Sequence, residues 1–266
     1  MDAFGELKEG QKKMWRTFAP TEMMTGSVAP RLLRFSGVRA GASMLDVGCG
    51  TGVVALTAAR LGAKVTGVDL TPELLDHART NAALMGVEVT WKEGDAEALP
   101  FADASFDCVL SQFGHIFAPR PELSTREMLR VLRPGGTLAF STWPPELFTG
   151  RLFEIIERYS LTQPLEGSSP PMQWGDPSIV AERLGDKVRD LTFARDTLHC
   201  QVLSPQHARI FFEAHIGPIS VLVRTLEASD RTKLSRLRRD LEEVVSLYFE
   251  DNVLRQDFLV SRAIKV

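Results

Sequence analysis

The sequence predicts an α/β fold with a mostly parallel, doubly wound sheet, and three observations predict it. Short apolar segments alternate with segments of helical period between residues 43 and 143. The first apolar segment runs directly into a cluster of glycines, which a helix signal follows. After the second, Thr71 and Pro72 begin a helix, because threonine caps well and proline suits the first turn. Strand followed by helix, repeated, is typical of parallel sheets.

Five strands and three helices are expected in this segment. The strands are expected at residues 44–47, 64–68, 87–91, 106–110 and 137–141. The helices are expected at residues 53–61, from 71 to about 85, and at 121–133.

Outside this segment the pattern changes. Residues 4–38 are expected to form one or two helices. The proline-rich residues 144–177 are expected to be irregular connections around a helix near 152–161. Two further strands are expected at 188–197 and 257–263, with a mainly helical insertion at 204–250 between them. Two explanations of that insertion stay open: it covers a substrate, or it simply packs against the core.

The composition argues against several classes of protein. The 266 residues carry 31 basic and 34 acidic side chains, a net charge of −3, so no nucleic-acid partner is expected. The three cysteines lack Cys-x-x-Cys spacing, which argues against a disulfide framework and a structural zinc site. No metal site, secretory signal or membrane span is expected. The protein is predicted to be soluble and cytoplasmic, and its oligomeric state stays open.

The glycine cluster points to a ligand. Gly48 and Gly50 follow a buried strand and let a ligand approach the backbone closely. Asp69 closes the second strand, where a carboxylate accepts hydrogen bonds from a ribose diol. Asp46 precedes the first glycine and would repel the pyrophosphate of a dinucleotide, which argues against a dehydrogenase. A nucleoside with positive charges fits better, and S-adenosylmethionine (SAM) carries a sulfonium and an ammonium group.

Five motifs together extend this argument to a family. They read LDVGCGTG at 45–52, VTGVDLT at 65–71, EGDAEALPF at 93–101, SFDCV at 105–109 and EMLRVLRPGG at 127–136. In these motifs the chain resembles the class I SAM-dependent methyltransferases, most closely the quinone-biosynthesis-type branch that contains many small-molecule methyltransferases. The resemblance is strong over about residues 40–145. It implies a Rossmann-like, seven-stranded sheet whose last strand is antiparallel, with N-terminal helices and a helical insertion before that strand.

The resemblance also implies a division of the chain. It is expected to form a single methyltransferase domain. An N-terminal helical cap (residues 1–40) precedes the cofactor-binding core (41–145). A connection (146–187) is followed by the closing strands (188–266), which include a helical lid at about 204–250.

The resemblance assigns five residues to the methionine part of SAM, whose product is S-adenosylhomocysteine (SAH). Gly48 and Gly50 would lie under it, and Asp46 would face its ammonium group, directly or through water. Ser111 and Gln112, just after the fourth strand, would border the sulfonium, although a simple strand-end turn also explains them.

Four more residues would hold the nucleoside. Asp69 would accept hydrogen bonds from the ribose hydroxyls, and Leu70 would pack on the adenine. Asp95 would accept from the adenine amino group, while the backbone N–H of Ala96 would reach a ring nitrogen.

His115 is the candidate catalytic residue. Methyl transfer from a sulfonium is an in-line displacement that alignment alone can accelerate, so a base is needed only for a protonated acceptor. His115 lies on the loop expected to face the methyl group, but a packed loop histidine explains it equally well. Aromatic side chains are expected to enclose a largely apolar small molecule above the cofactor. These are Trp15, Phe18, Trp143, Phe148, Trp174, Phe211 and Phe212.

Two other functions stay open. The acceptor could be RNA or a protein, although the chain has no basic tract and carries SQFG at 111–114 in place of an Asn-Pro-Pro-Tyr-type tetrad. The chain could also bind SAM without turning it over.

Overall fold

The computed structural model describes residues 2–161 and 163–266, which contain one eight-stranded mixed sheet. Its strands are β1 (Ser43–Val47), β2 (Lys64–Asp69), β3 (Thr90–Glu93), β4 (Phe106–Gln112), β5 (Leu132–Thr142), β6 (Val188–Gln201), β7 (Phe249–Glu250) and β8 (Val253–Lys265). The spatial order is β3-β2-β1-β4-β5-β8-β6, and the two-residue β7 pairs with β8.

Eleven α-helices surround the sheet in the described residues. They are α1 (Ala3–Trp15), α2 (Glu22–Thr25), α3 (Ala29–Ser36), α4 (Val53–Arg60), α5 (Pro72–Met85), α6 (Pro121–Val131), α7 (Phe148–Tyr159), α8 (Pro177–Leu184), α9 (Pro205–His215), α10 (Gly217–Ser229) and α11 (Arg231–Tyr248). None of the helices in residues 2–161 and 163–266 has the length and hydropathy needed to cross a membrane.

The strand directions confirm the predicted fold class. Strands β1 to β5 are mutually parallel, whereas β8 lies antiparallel between β5 and β6. The sheet order reverses between β1 and β4, because β2 lies on one side of β1 and β4 on the other. In open α/β sheets a ligand cleft forms at the carboxyl ends of the strands at such a reversal. The loops after β1 and β4 are therefore the expected walls of the site.

Several boundaries differ from the sequence prediction. Strand β3 is displaced toward the C-terminus, since Val87 and Val89 are only partly buried at this edge of the sheet. Helix α6 ends at Val131 because Leu132 already pairs with Phe106, and the Pro134 turn lies within an irregular part of β5. Strands β6 and β8 are longer than predicted because they pair with each other out to Gln201 and Val253.

The insertion between β6 and β8 consists of α9, α10 and α11. Leu234, Leu237, Leu241 and Val245 form the buried face of α11, which packs against α7 and α9. The spacing of these residues is the helical period seen in the sequence. The N-terminal helix α1 contacts α10, so the start of the chain packs against the helical insertion.

Candidate functional site

The turn after β1 is fixed by Asp69 at the end of β2. Gly48 and Gly50 have positive φ angles of 65° and 54°, which favour glycine. The carboxylate of Asp69 accepts hydrogen bonds from the backbone N–H of Gly50 and of Thr71, both at 2.8 Å. Burial raises the pKa of Asp69, while these backbone hydrogen bonds oppose the rise. Asp69 thus holds the turn and the start of α5 while lining a cavity.

The two glycines of this turn are needed for different reasons. A Cβ on Gly48 would lie 2.8 Å from the Cα of Gly114, so Gly48 permits a close crossing of the loops after β1 and β4. A Cβ on Gly50 would meet nothing within 4 Å, because Gly50 faces the open cavity. The close approach of a ligand is therefore possible at Gly50, and the sequence could not separate the two roles.

Asp46 lies beneath the turn and is not among the residues lining the cavity. Its Oδ2 accepts a hydrogen bond from the N–H of Ala55 at 3.0 Å, while its Oδ1 is buried without a partner among the described residues. Burial raises the pKa of Asp46 to about 7. A buried carboxylate oxygen without a donor is unfavourable, so this atom suits a cation or a bridging water.

The cavity beside the turn holds about 1550 Å³, counted out to the solvent at its mouth. Three charged side chains line it among the described residues, Lys8, Asp69 and Asp95. We call the part formed by Lys8, Gly50, Asp69, Leu70, Asp95 and Ala96 the polar end.

An ion-pair network attaches α1 to the polar end. Lys8 Nζ lies 2.5 Å from Oδ2 of Asp95 and 2.5 Å from Oε2 of Glu97. Asp95 Oδ1 accepts from the N–H of Glu97 at 2.9 Å. Arg120 donates to Glu97 from its backbone, its Nε and its Nη2, at 2.6–2.8 Å. Glu97 is only 5% exposed and organises the group.

Sequence reasoning missed Lys8 and Glu97. A usable signal was present, since Lys8 and Lys12 are spaced to share one face of a helix. Lys8 pairs with Asp95 and Glu97, and Lys12 pairs with Glu93. The three acidic residues occupy every second position, starting from the last residue of β3. Complementary spacing of this kind does not by itself say which segments meet.

We call a second part of the cavity the apolar chamber. Its walls include aromatic pairs such as Phe113 with Trp143, whose rings stack at 3.9 Å, and Trp15 with Phe117, at 4.5 Å. The chamber is lined by Trp15, Phe18, Phe113, Phe117, Trp143, Phe148, Thr149, Leu152, Phe153, Leu198, Phe212, Ile216 and Gln256. Five of the seven aromatics expected to enclose a ligand line the cavity; Trp174 and Phe211 do not.

Comparison with known proteins identifies the family. A sequence profile described as a methyltransferase domain matches residues 45–140. An uncharacterized protein of Mycobacterium tuberculosis is 36% identical over 258 residues, which is 96% of this chain and 93% of the relative. The chain belongs to the SAM-dependent methyltransferases.

Two further proteins resemble this methyltransferase, one over part of its sequence and one in its fold. A demethylmenaquinone methyltransferase of Tropheryma whipplei is 38% identical over 126 residues, 47% of this chain and 52% of that protein. The structure of the YcgJ protein of Bacillus subtilis aligns with a TM-score of 0.60 at 19% identity, over 90% of this chain and 98% of that one.

A further structure contains the reaction product. Phosphoethanolamine N-methyltransferase 2 of Haemonchus contortus, with phosphomonomethylethanolamine and SAH, aligns with a TM-score of 0.54 at 22% identity. The alignment covers 90% of this chain and 52% of that one. The enzyme described here uses SAM, and its residues fit that cofactor: Gly50 leaves space at the turn, and Asp46 Oδ1 lacks a donor.

Gln112 of the methyltransferase lines the cavity, whereas Ser111 does not. Gln112 Nε2 donates to the carbonyl of Thr25 at 3.0 Å, while its buried Oε1 has no partner among residues 2–161 and 163–266. Ser111 is fully buried; its hydroxyl donates to the carbonyl of Val47 at 2.6 Å and accepts from the N–H of His115 at 3.1 Å. This placement gives Ser111 a structural link between β1 and the loop after β4, and does not favour its predicted cofactor contact.

His115 of the methyltransferase is also outside the cavity lining. Its ring is fully buried and packs at 4.7 Å from the ring of Phe140 and 4.6 Å from that of Trp174. Burial lowers the pKa of His115 to about 3, so the ring is neutral at physiological pH. The predicted role as a general base is not favoured, because the ring faces other side chains and not the chamber.

Proposed function

We propose that this methyltransferase acts on a small, largely apolar molecule, and that it works mainly by aligning the acceptor with the methyl group. When bound, SAM supplies a methyl group already activated by the sulfonium. The single observation that carries the proposal is the apolar chamber, which adjoins the polar end within one cavity. Alignment of this kind can supply roughly 7–11 kcal/mol of the barrier reduction.

The polar end is proposed to hold the nucleoside. Asp69 accepts from the ribose hydroxyls, and its position is supported by its two backbone hydrogen bonds. Leu70 packs on the adenine, Asp95 accepts from the adenine amino group, and the Ala96 N–H donates to a ring nitrogen. All four line the cavity, which supports these roles.

The methionine part is proposed to lie over Gly48 and Gly50, with Gln112 bordering the sulfonium. These three residues line the cavity next to the turn. Asp46 acts from beneath the turn, through its unpartnered Oδ1 and a bridging water, on the ammonium group. Ser111 contributes by holding the loop that carries Gln112.

A base on the enzyme is not part of the proposed reaction. For His115 to serve as the base predicted from the sequence, its ring would have to leave its position between Phe140 and Trp174. The acceptor is therefore proposed to arrive as a competent nucleophile, whose proton, if one is released, passes to solvent.

We further propose that the chain is one domain in which helices close over the site. The cap, core, connection and closing part are residues 1–40, 41–145, 146–187 and 188–266, and the lid comprises α1 with α9 to α11. Helix α1 has no buried residue, while its Lys8, Gln11 and Trp15 line the cavity. A helix so weakly buried is suited to opening. The three free cysteines support a reducing compartment such as the cytoplasm.

The proposed acceptor contrasts with that of a structural neighbour. The Haemonchus contortus structure contains phosphomonomethylethanolamine, which is charged. Here the three charged lining residues already have partners. Asp69 accepts from the glycine turn, and Lys8 pairs with Asp95, so none is left to pair with an acceptor's charge. A small, largely apolar acceptor fits this chamber better.

Release of SAH tests the proposal. Purified protein with SAM should release SAH when a small apolar acceptor is added, and not with RNA or protein alone. Release with RNA, together with retention on heparin at moderate salt, would favour a macromolecular acceptor. Binding of SAM by calorimetry without release from any acceptor would instead favour a binding module.

A further inference from the structure

One side chain in the apolar chamber narrows the chemistry of the acceptor. Thr149 lies in the first turn of α7 and lines the cavity, yet only 9% of the residue is exposed. Its Oγ1 is buried and has no hydrogen-bond partner in the described part of the chain. A buried hydroxyl is normally paired, so an unpaired one in a cavity wall is suited to pair with a ligand.

Neighbouring polar groups along the cavity already have partners. The hydroxyl of Thr21 donates to the carbonyl of Phe18 at 2.7 Å, and Gln256 Nε2 donates to Cys200 Sγ at 3.2 Å. Gln112 Oε1 is also unpartnered, but it follows β4 beside the glycine turn, where we have placed the sulfonium. Of these two unpartnered cavity-lining atoms in the described residues, Thr149 Oγ1 is therefore the one available to the acceptor.

A flat aromatic wall of the chamber independently constrains the shape of the acceptor. Phe113 has a φ of 60°, a conformation that is strained for a bulky residue. Its ring stacks on Trp143 with an interplanar angle of 10°, and both rings line the chamber. Strain of this kind is retained where the surroundings enforce it, frequently at functional sites. The resulting wall suits a flat ring lying against it.

We propose that the acceptor is an uncharged molecule with a flat ring that carries a hydroxyl or amino group, and that Thr149 selects for this group by a hydrogen bond. The proposal rests on the proposed function. Because Oγ1 is buried as it stands, this hydrogen bond requires a rotation about the Cα–Cβ bond of Thr149 that turns the hydroxyl toward the chamber. A charged group is rejected because the chamber would desolvate it without offering an opposite charge.

Binding of three probes to the SAH-loaded protein tests the selection. The probes are naphthol, naphthalene and naphthoate, with the hydroxyl and the carboxylate at the same ring position, measured by calorimetry at neutral pH. Naphthol should bind about three- to tenfold more tightly than naphthalene, the range expected for one hydrogen bond. Naphthoate should bind at least about tenfold more weakly than naphthol, since its charge is desolvated.

Matched variants assign the effect to Thr149. T149V should reduce the affinity for naphthol to that for naphthalene and leave naphthalene binding unchanged, whereas T149S should keep the preference. T142V is the control, because Thr142 Oγ1 is equally buried and unpartnered but does not line the cavity. All variants should bind SAH as the parent protein does, which also shows that they are folded.

Three outcomes would overturn the proposal: naphthoate binds at least as tightly as naphthol, T149V keeps the preference for naphthol, or none of the probes binds the SAH-loaded protein. These failures are distinguishable from failure of the proposed function. In the latter case the protein would release no SAH with any small molecule.

Discussion

The two ends of the cavity are built in different ways. Apart from Lys8 of α1, the polar end is formed by short segments at and after the ends of β1, β2 and β3, and its carboxylates are held by nearby backbone N–H groups. The apolar chamber is assembled from α1, the β4 loop, α7, β6, α9 and β8, and its walls are mainly aromatic. The residues proposed to hold the cofactor thus lie mainly in local motifs, whereas the residues proposed to hold the acceptor are brought together only by the complete fold.

The largest expected effect is at the polar end. D69A removes the acceptor for the Gly50 and Thr71 N–H groups as well as the proposed ribose contact. Because hydrogen bonds to a charged group contribute about 1.5–3 kcal/mol each, SAM affinity should fall by roughly a hundredfold or more in calorimetry. D107A is the control: Asp107 binds the N–H of Ser43 and Arg133, and does not line the cavity. Unchanged SAM affinity in D69A would contradict the proposed role.

A substitution where the loops after β1 and β4 cross is expected to have the next largest effect. In G114A the new Cβ would lie 2.4 Å from the carbonyl oxygen of Gly48, so the backbone must shift. Overpacking of this kind costs about 1–3 kcal/mol, which thermal unfolding should reveal together with weaker SAM binding. G10A offers a matched comparison in α1, where a Cβ meets nothing within 4 Å, and should be neutral or stabilising. Equal stability of the two variants would refute this explanation of Gly114.

Loss of the ion pairs that attach α1 to the polar end should have a smaller effect on SAM affinity. K8M removes the cation shared by Asp95 and Glu97, so α1 should exchange its amide hydrogens faster. SAM affinity should fall by about tenfold, because a partly buried pair contributes more than an exposed one. K13M is the control, since Lys13 is exposed on the same helix. If exchange in α1 is the same in both variants, Lys8 does not hold the helix.

The smallest expected effect is a dependence of SAM affinity on pH. The ammonium group of SAM favours the ionised form of Asp46, whose pKa is raised to about 7 by burial. SAM affinity should therefore increase as the pH rises toward about 7, by about threefold for one charge acting through a water layer. Binding should also release protons, which calorimetry in buffers of different ionisation enthalpy measures. Adenosine lacks the ammonium and should show neither effect; a pH dependence equal for both ligands would exclude Asp46 as its source.

The same contrast explains what the sequence could predict. The turn at Gly48 and Asp69 at the end of β2 are local features, and the structure places them together as expected. Lys8 meets Glu97 only through tertiary packing, so neither residue was foreseen. His115 was predicted from its position on the β4 loop, but side-chain direction depends on Phe140 and Trp174 of later segments.

The ends of helices and strands were also only partly predictable from the sequence. The strand at β3 lies on the edge of the sheet, where partial burial weakens the apolar signal of Val87 and Val89. The end of α6 is decided by the pairing of Leu132 with Phe106, which helix propensity does not contain. Local patterns therefore predicted the order of elements, and long-range pairing decided where they begin and end.

Release of SAH from SAM across matched neutral and charged acceptors shows whether the apolar chamber receives an uncharged molecule. The acceptors should be ring compounds bearing a hydroxyl or amino group, the same rings bearing a carboxylate, and phosphoethanolamine. We expect release with the neutral compounds, and none above background with the charged ones. Release only with charged acceptors, or no release with any neutral compound, would contradict the claim that the apolar chamber receives an uncharged acceptor.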